Sequence, residues 1–98
     1  MARTLQEFNQ NEIRAVELNI NDQDGTDFEP DSATTTIYDN SDDTVVVEEQ
    51  SALVDGSDVR TLIGIVVTAN VGEYKIVWKL IKGDYTYYHA TILGVVEI

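Results

Sequence analysis

Two β-rich runs, from Gly72 to Lys82 and from Tyr85 to Leu93, flank the dipeptide Gly83-Asp84. Strands favour aromatic and β-branched residues, and a glycine with positive φ at the first turn position suits a type II′ hairpin. If Gly83-Asp84 is a two-residue loop, the register follows. Lys82 faces Tyr85, Leu80 faces Tyr87, Trp78 faces His89, Ile76 faces Thr91 and Tyr74 faces Leu93. Side chains alternate across a strand, so all but the Lys82 pair can line one face with Trp78. The opposite face sets Lys75, Val77 and Lys79 against Ile92, Ala90 and Tyr88 and is more mixed. One face can therefore form a core. That is a constraint on fold, and it discloses no activity.

The rest of the chain reads the same way. Residues 1–12 fit a flexible arm, a short helical turn or a first edge strand. The helical reading rests on Thr4-Leu5-Gln6-Glu7 as a capping box, with Leu5 and Phe8 three apart. From Ile13 the period is two, with Val16, Leu18 and Ile20 alternating with Glu17 and Asn19. A polar turn around Asp24-Gly25 follows. Pro30 is the only proline; it cannot donate to a ladder and so belongs before the next strand, Ala33 to Tyr38. After a second polar turn, Asp39 to Asp43, comes a short strand from Thr44 to Glu48, with Val45 and Val47 on one face and Val46 on the other. Ser51 to Val54 reads as another. Val59 to Thr68 is strongly β-branched, and Gly64 inside it suggests a bulge or a close approach. The tail Val95-Val96-Glu97-Ile98 can extend the last strand. About seven short strands at regular spacing, with polar turns between, are the signature of an all-β antiparallel sandwich or barrel. No βαβ spacing occurs, which excludes a parallel nucleotide-binding sheet.

A chain of 98 residues makes one domain and can bury a core without disulfides or metals. It has no cysteine, which rules out a disulfide framework and thiolate chemistry. No run is long and apolar enough to span a bilayer as a helix, and the first residues lack the apolar core of a signal peptide. The expectation is a protein used inside a cell, or released within a particle by lysis. The formal net charge is −12, and no Lys or Arg lies between Arg14 and Arg60. Phosphate backbones and anionic membranes need clustered cations, so neither nucleic acid nor a membrane is expected as a partner. The charge reads first as solubility.

These residues carry a resemblance. Gly72 and Tyr74, Trp78 four residues on, a turn and a closing strand resemble the last hairpin of bacterial and phage immunoglobulin-like domains. Phe8-Asn9-Gln10-Asn11-Glu12-Ile13, then Asp24-Gly25-Thr26, then Ser32-Ala33-Thr34-Thr35-Thr36-Ile37-Tyr38-Asp39 resemble the opening of small structural domains of tailed phages. The pattern covers about residues 8 to 97 and consists of strands, turns and a few anchors. Asn11 departs from it where a glycine is common, which leaves the first turn open. The resemblance implies an immunoglobulin-like β-sandwich serving as a tail, baseplate or head–tail accessory subunit. It implies a location in the virion, or in the host cytoplasm during assembly, and partners that are other structural proteins or copies of itself.

Three groups invite a chemical reading. Asp22, Asp24 and Asp27 around Gly25 resemble part of a calcium loop, because oxygen ligands at alternate positions can converge on Ca²⁺. The full motif needs acidic first and glutamate last ligands, where this chain has Ile20 and Asp31. An Asp-rich hairpin turn is the plainer reading, with a calcium-stabilised, adhesin-like surface module as the alternative. His89 is the only histidine, so a His-pair metal site is unavailable, and a relay would need Ser32, Ser41, Ser51 or Ser57 within reach. A strand position beside Trp78 or at the sheet edge is expected instead. Glu48-Glu49 on opposite faces of a short strand make a poor acid–base pair. No catalytic set, cofactor or metal is therefore expected. Tyr85 and Tyr88, beside Lys75 and Lys79, are the candidate contact surface, since aromatics with a polar tip are enriched at interfaces, with ordinary cross-strand packing as the plainer reading.

Overall fold

A computed structural model describes residues 5–19, 29–56 and 58–97. Among them are eight strands and one helical turn: β1 (Leu5–Asn9), β2 (Arg14–Asn19), β3 (Ser32–Asp39), β4 (Val45–Ser51), β5 (Leu53–Asp55), β6 (Asp58–Ile63), α1 (Ile65–Thr68), β7 (Gly72–Lys82) and β8 (Tyr85–Val96). They form two sheets, one ordered β1-β8-β7-β3-β4 and the other β2-β6-β5. Every pairing is antiparallel except β1 with β8. The chain is thus an all-β sandwich.

The hairpin has the register that its turn dictates. Lys82 pairs with Tyr85, Trp78 with His89 and Tyr74 with Leu93. Gly83 takes φ 58 while Asp84 stays out of the positive-φ region, as a type II′ loop requires. Alternation then buries Tyr74, Ile76, Trp78 and Leu80 on β7. The opposing sheet contributes Val16, Val59 and Ile63 to the same core, and α1 contributes Val67. Two buried polar pairs fit inside it. The Trp78 indole N–H donates to Thr91 Oγ1 at 3.0 Å, and the hydroxyls of Thr35 and Thr61 bridge the two sheets at 2.9 Å. No described buried side-chain polar atom lacks a partner. Burial therefore carries little desolvation penalty here.

Two segments differ from what sequence pattern implies, and a third settles an open choice. Of the three readings open for residues 1–12, Leu5–Asn9 takes the edge strand. Phe8, only 1% exposed, opposes Val95 and drops into the core, and a strand ladder to β8 satisfies the backbone that a helix would have satisfied internally. Val59 to Thr68 is not one strand. It ends at Ile63, and Gly64 is the N-cap of α1 rather than a bulge. The turn lets Val67 and Thr68 bury together while the chain crosses between sheets. In β4, Val46 and Val47 both pack against the core, and Val45 is exposed. Two register shifts against β3 break the alternation that would have put Val46 outside.

The turn from β1 to β2 also has a definite shape. Asn11 sits at φ 65, the conformation a glycine would take there. Asparagine is among the few residues that tolerate it. Asn11→Gly should leave the melting temperature nearly unchanged, whereas Asn11→Ala should cost about 1–2 kcal/mol in urea unfolding. Equal effects from the two would show that φ at this position is not what matters.

Tyr74 closes the other connection. It stands near the start of β7, and its hydroxyl donates to the Asn70 carbonyl four residues upstream at 3.0 Å. Burial raises the pKa of its phenol above the ordinary tyrosine value, with the Asp39 charge adding to the effect.

Candidate functional site

The described molecule is elongated, 39 × 22 × 22 Å. The cause is a mismatch of strand lengths. β8 has 12 residues, but β2 and β6 have 6 each. At about 3.3 Å per residue the ribbon runs roughly 40 Å, and the layer facing it only about half that. Among the described residues the hairpin therefore overhangs the smaller sheet. On β8, burial is complete at Thr91 and Leu93 but lost at the tip, where Tyr85, Tyr87 and Tyr88 are 67%, 45% and 64% exposed.

The tip has two faces. Tyr85 and Tyr87 share the Trp78 side, with ring centroids 6.4 Å apart and planes tilted by 35°. Tyr88 lies on the other side, directly opposite Lys79. Alternation separates Tyr85 from Tyr88, so the two do not form one flat surface. Of the two candidate lysines, only Lys79 is near the tyrosines. Lys75 pairs with Ile92, four residues further down β7, and its ammonium is engaged elsewhere. It lies 3.2 Å from Asp43 Oδ1 and 5.3 Å from the Tyr38 ring centroid. At the loop, Lys82 pairs with Asp31 at 3.7 Å, and Asp31 also accepts from the Gly83 amide at 2.7 Å. That second bond fixes the turn, so the tyrosines project from an ordered ribbon.

His89 faces Trp78 across the ribbon and is partly buried. Burial holds its imidazole below the ordinary histidine value. β7, the strand paired with it at this level, contains no serine. Asp22, Asp24 and Asp27, and with them the calcium reading, lie outside the described residues, as do Ser57 and Thr4. Among the described residues no group of three or more His, Asp or Glu is placed to hold a metal. The second acidic turn is instead tied to itself. Asp39 Oδ1 accepts from the Ser41 amide and hydroxyl, and Asp42 Oδ1 accepts from those of Thr44. The Thr44 bonds hold the Asp42 carboxyl below the ordinary aspartate value. Glu49 accepts from Thr34 Oγ1 at 2.8 Å on the outer face of the larger sheet.

Sequence reasoning missed the overhang. It located each tyrosine on its strand but had no measure of how far the opposing sheet would extend. The runs legible in the sequence, Ile13–Ile20 and Val59–Thr68 against Tyr85–Leu93, are of similar length and carry no signal of it. No protein-family model matches the chain, and no curated protein matches it.

Proposed function

We propose that the chain is a non-enzymatic assembly subunit of a phage or prophage particle, built on an immunoglobulin-like sandwich and acting through protein–protein contacts. The immunoglobulin-like reading is supported by strand order. The sequence β8-β7-β3-β4 over β2-β6-β5 corresponds to G-F-C-C′ over B-E-D of a variable-type domain. It is also supported by Tyr74, whose bond to Asn70 has the position and partner of a tyrosine corner. The chain departs from antibody domains in lacking the inter-sheet disulfide and in carrying its tryptophan on β7 rather than β3.

The observation that carries the functional reading is the overhanging ribbon with its three exposed tyrosines. Tyrosine supplies contact area with only two rotatable side-chain bonds to freeze, and its hydroxyl adapts to polar partners. Held on a hydrogen-bonded turn, such a tip favours binding a shape over performing a reaction. The partners are other structural proteins of the particle, and the −12 charge disfavours nucleic acid.

The test is co-purification. Particles banded on a density gradient from the producing cells should contain the chain after a high-salt wash. Tyr85→Ser with Tyr88→Ser should change stability by no more than about 0.5 kcal/mol, because both residues are exposed. The same double variant should drop out of the particle fraction. A chain found only in the free soluble fraction would overturn the reading.

A further inference from the structure

The described sheet edges of this chain are guarded, with one exception. A free edge presents unpaired main-chain donors and acceptors in order, and proteins blunt such edges with charge, proline, bulges or short length. β4 is broken by two register shifts and carries Glu48 and Glu49. β5 is three residues long. β2 carries Arg14 and Glu17, and on β1 the Arg14 guanidinium takes up the Glu7 carbonyl at 2.9 Å.

The exception is the outer edge of β8. β1 pairs with it only from Ile92 to Val96. From Tyr85 to Thr91 no described strand lies beside it on the side away from β7. This stretch contains no Asp, Glu, Lys, Arg, Gly or Pro, and its pairing with β7 runs without a register shift. It is a regular, uncharged edge of aromatic and β-branched residues. The two-residue loop closes on the Lys82–Tyr85 pair, whose main-chain groups turn toward each other. Alternation then turns the amides and carbonyls of Thr86, Tyr88 and Ala90 outward, as it does at Ile92. Tyr85 to Tyr88 are exposed at every position.

We propose that this edge pairs with the same edge of a second copy of this chain, antiparallel about a twofold axis at Tyr87. Whatever fills an edge must itself offer a free, regular strand, and among the described residues the β8 tip is where this chain offers one. The axis sets Tyr87 against Tyr87, Thr86 against Tyr88 and Tyr85 against His89, so no carboxylate meets a carboxylate across the seam. Each Thr86–Tyr88 pair exchanges both of its main-chain hydrogen bonds, and aromatic cross-strand pairs flank them. Main-chain bonds, rather than buried area, carry the affinity of an added strand. With net charge −12 on each copy, the dimer is weak and depends on concentration and salt. The pairing uses the edge of the ribbon and leaves its faces open, so it does not rest on the assembly reading.

Sedimentation velocity of the purified chain from about 10 μM to 1 mM tests it. The mass should rise from one copy toward two, and association should tighten roughly tenfold from about 0.01 M to 0.5 M salt as like-charge repulsion is screened. Thr86→Pro should hold the chain at one copy, because it removes an outward amide and leaves the β7 ladder intact. Tyr87→Cys reads the register. The chain has no cysteine of its own, and opposed residues without main-chain bonds between them stand about 4.5 Å apart, within disulfide reach. Mild oxidation should link this variant into covalent dimers, and should link Tyr85→Cys, whose copies are out of step, roughly tenfold less. The Thr86 and Tyr88 amides should exchange quickly in dilute protein and slowly in the dimer. If Thr86→Pro lowers the melting temperature, the cysteine variants and the amides decide the matter. A monomer under every condition overturns the proposal, as does growth beyond two copies or a dimer that Tyr87→Cys does not link. Thr86 and Tyr88 amides already protected in the monomer also overturn it, because the chain's own residues would then cover the edge. A dimer whose chain never enters a particle would sustain this inference and remove the assembly reading.

Discussion

Trp78→Ala should bring the protein close to global unfolding at 25 °C. The indole is fully buried and is the largest side chain in the core. Its removal loses transfer free energy and leaves a cavity, a combination that costs about 3–5 kcal/mol. Domains of this size have about 5–15 kcal/mol in total. The substitution also strands the Thr91 hydroxyl, whose described partner is the indole N–H. At an m value near 1.5 kcal/mol/M, the urea midpoint should fall by about 2–3 M. Trp78→Phe keeps most of the volume and loses the hydrogen bond, so it should fall between wild type and alanine. A midpoint shift under about 0.5 M for Trp78→Ala would mean that the two sheets do not close over this residue.

Phe8→Ala should release the first strand before anything else. Phe8 is the apolar anchor of β1, and the Arg14 guanidinium covers its ring at 4.1 Å. Loss of a buried phenylalanine costs about 3–5 kcal/mol, and the cation–π contact adds about 0.5–1 kcal/mol. Arg14 also donates to the Glu7 carbonyl, so ring, guanidinium and β1 backbone form one unit. The expected signature is local. In the parallel ladder, Ile92, Gly94 and Val96 turn their backbone groups toward β1, as the Gln10 amide donating to the Val96 carbonyl shows. Their amides should exchange with solvent far faster in the variant, while those of Ile76 and Trp78 keep their protection. Uniform loss of protection would instead place β1 in the same cooperative unit as the core.

Where one local rule decided the outcome, the sequence was readable. Gly83-Asp84 set the whole hairpin, because a two-residue loop leaves a single register and period-two burial follows from it. Elsewhere two rules competed. β-branched Ile65, Val66 and Val67 favour a strand, yet they form a helical turn because the chain must cross between sheets and bury Val67 there. Val46 and Val47 cannot both face inward in a regular strand, and only the bulges of an edge strand permit it. Asn11 looked like a departure from a glycine pattern and turned out to keep the same backbone conformation with a side chain added. The candidate site was legible residue by residue, but the overhang that exposes it depends on the length of a different sheet. Leu53 and Leu62 stand exposed on β5 and β6, and only the pairing of β2, β6 and β5 shows which side of the sheet they occupy.

The single parallel pair has a mechanical consequence. Tension applied through Leu5 and Glu97 pulls β1 and β8 in opposite directions along their shared axis. The five matched positions between Leu5–Asn9 and Ile92–Val96 are then loaded side by side in shear, not peeled one after another. A domain fastened in this way resists stretching until most of that ladder fails at once. That property suits a component held taut between neighbours.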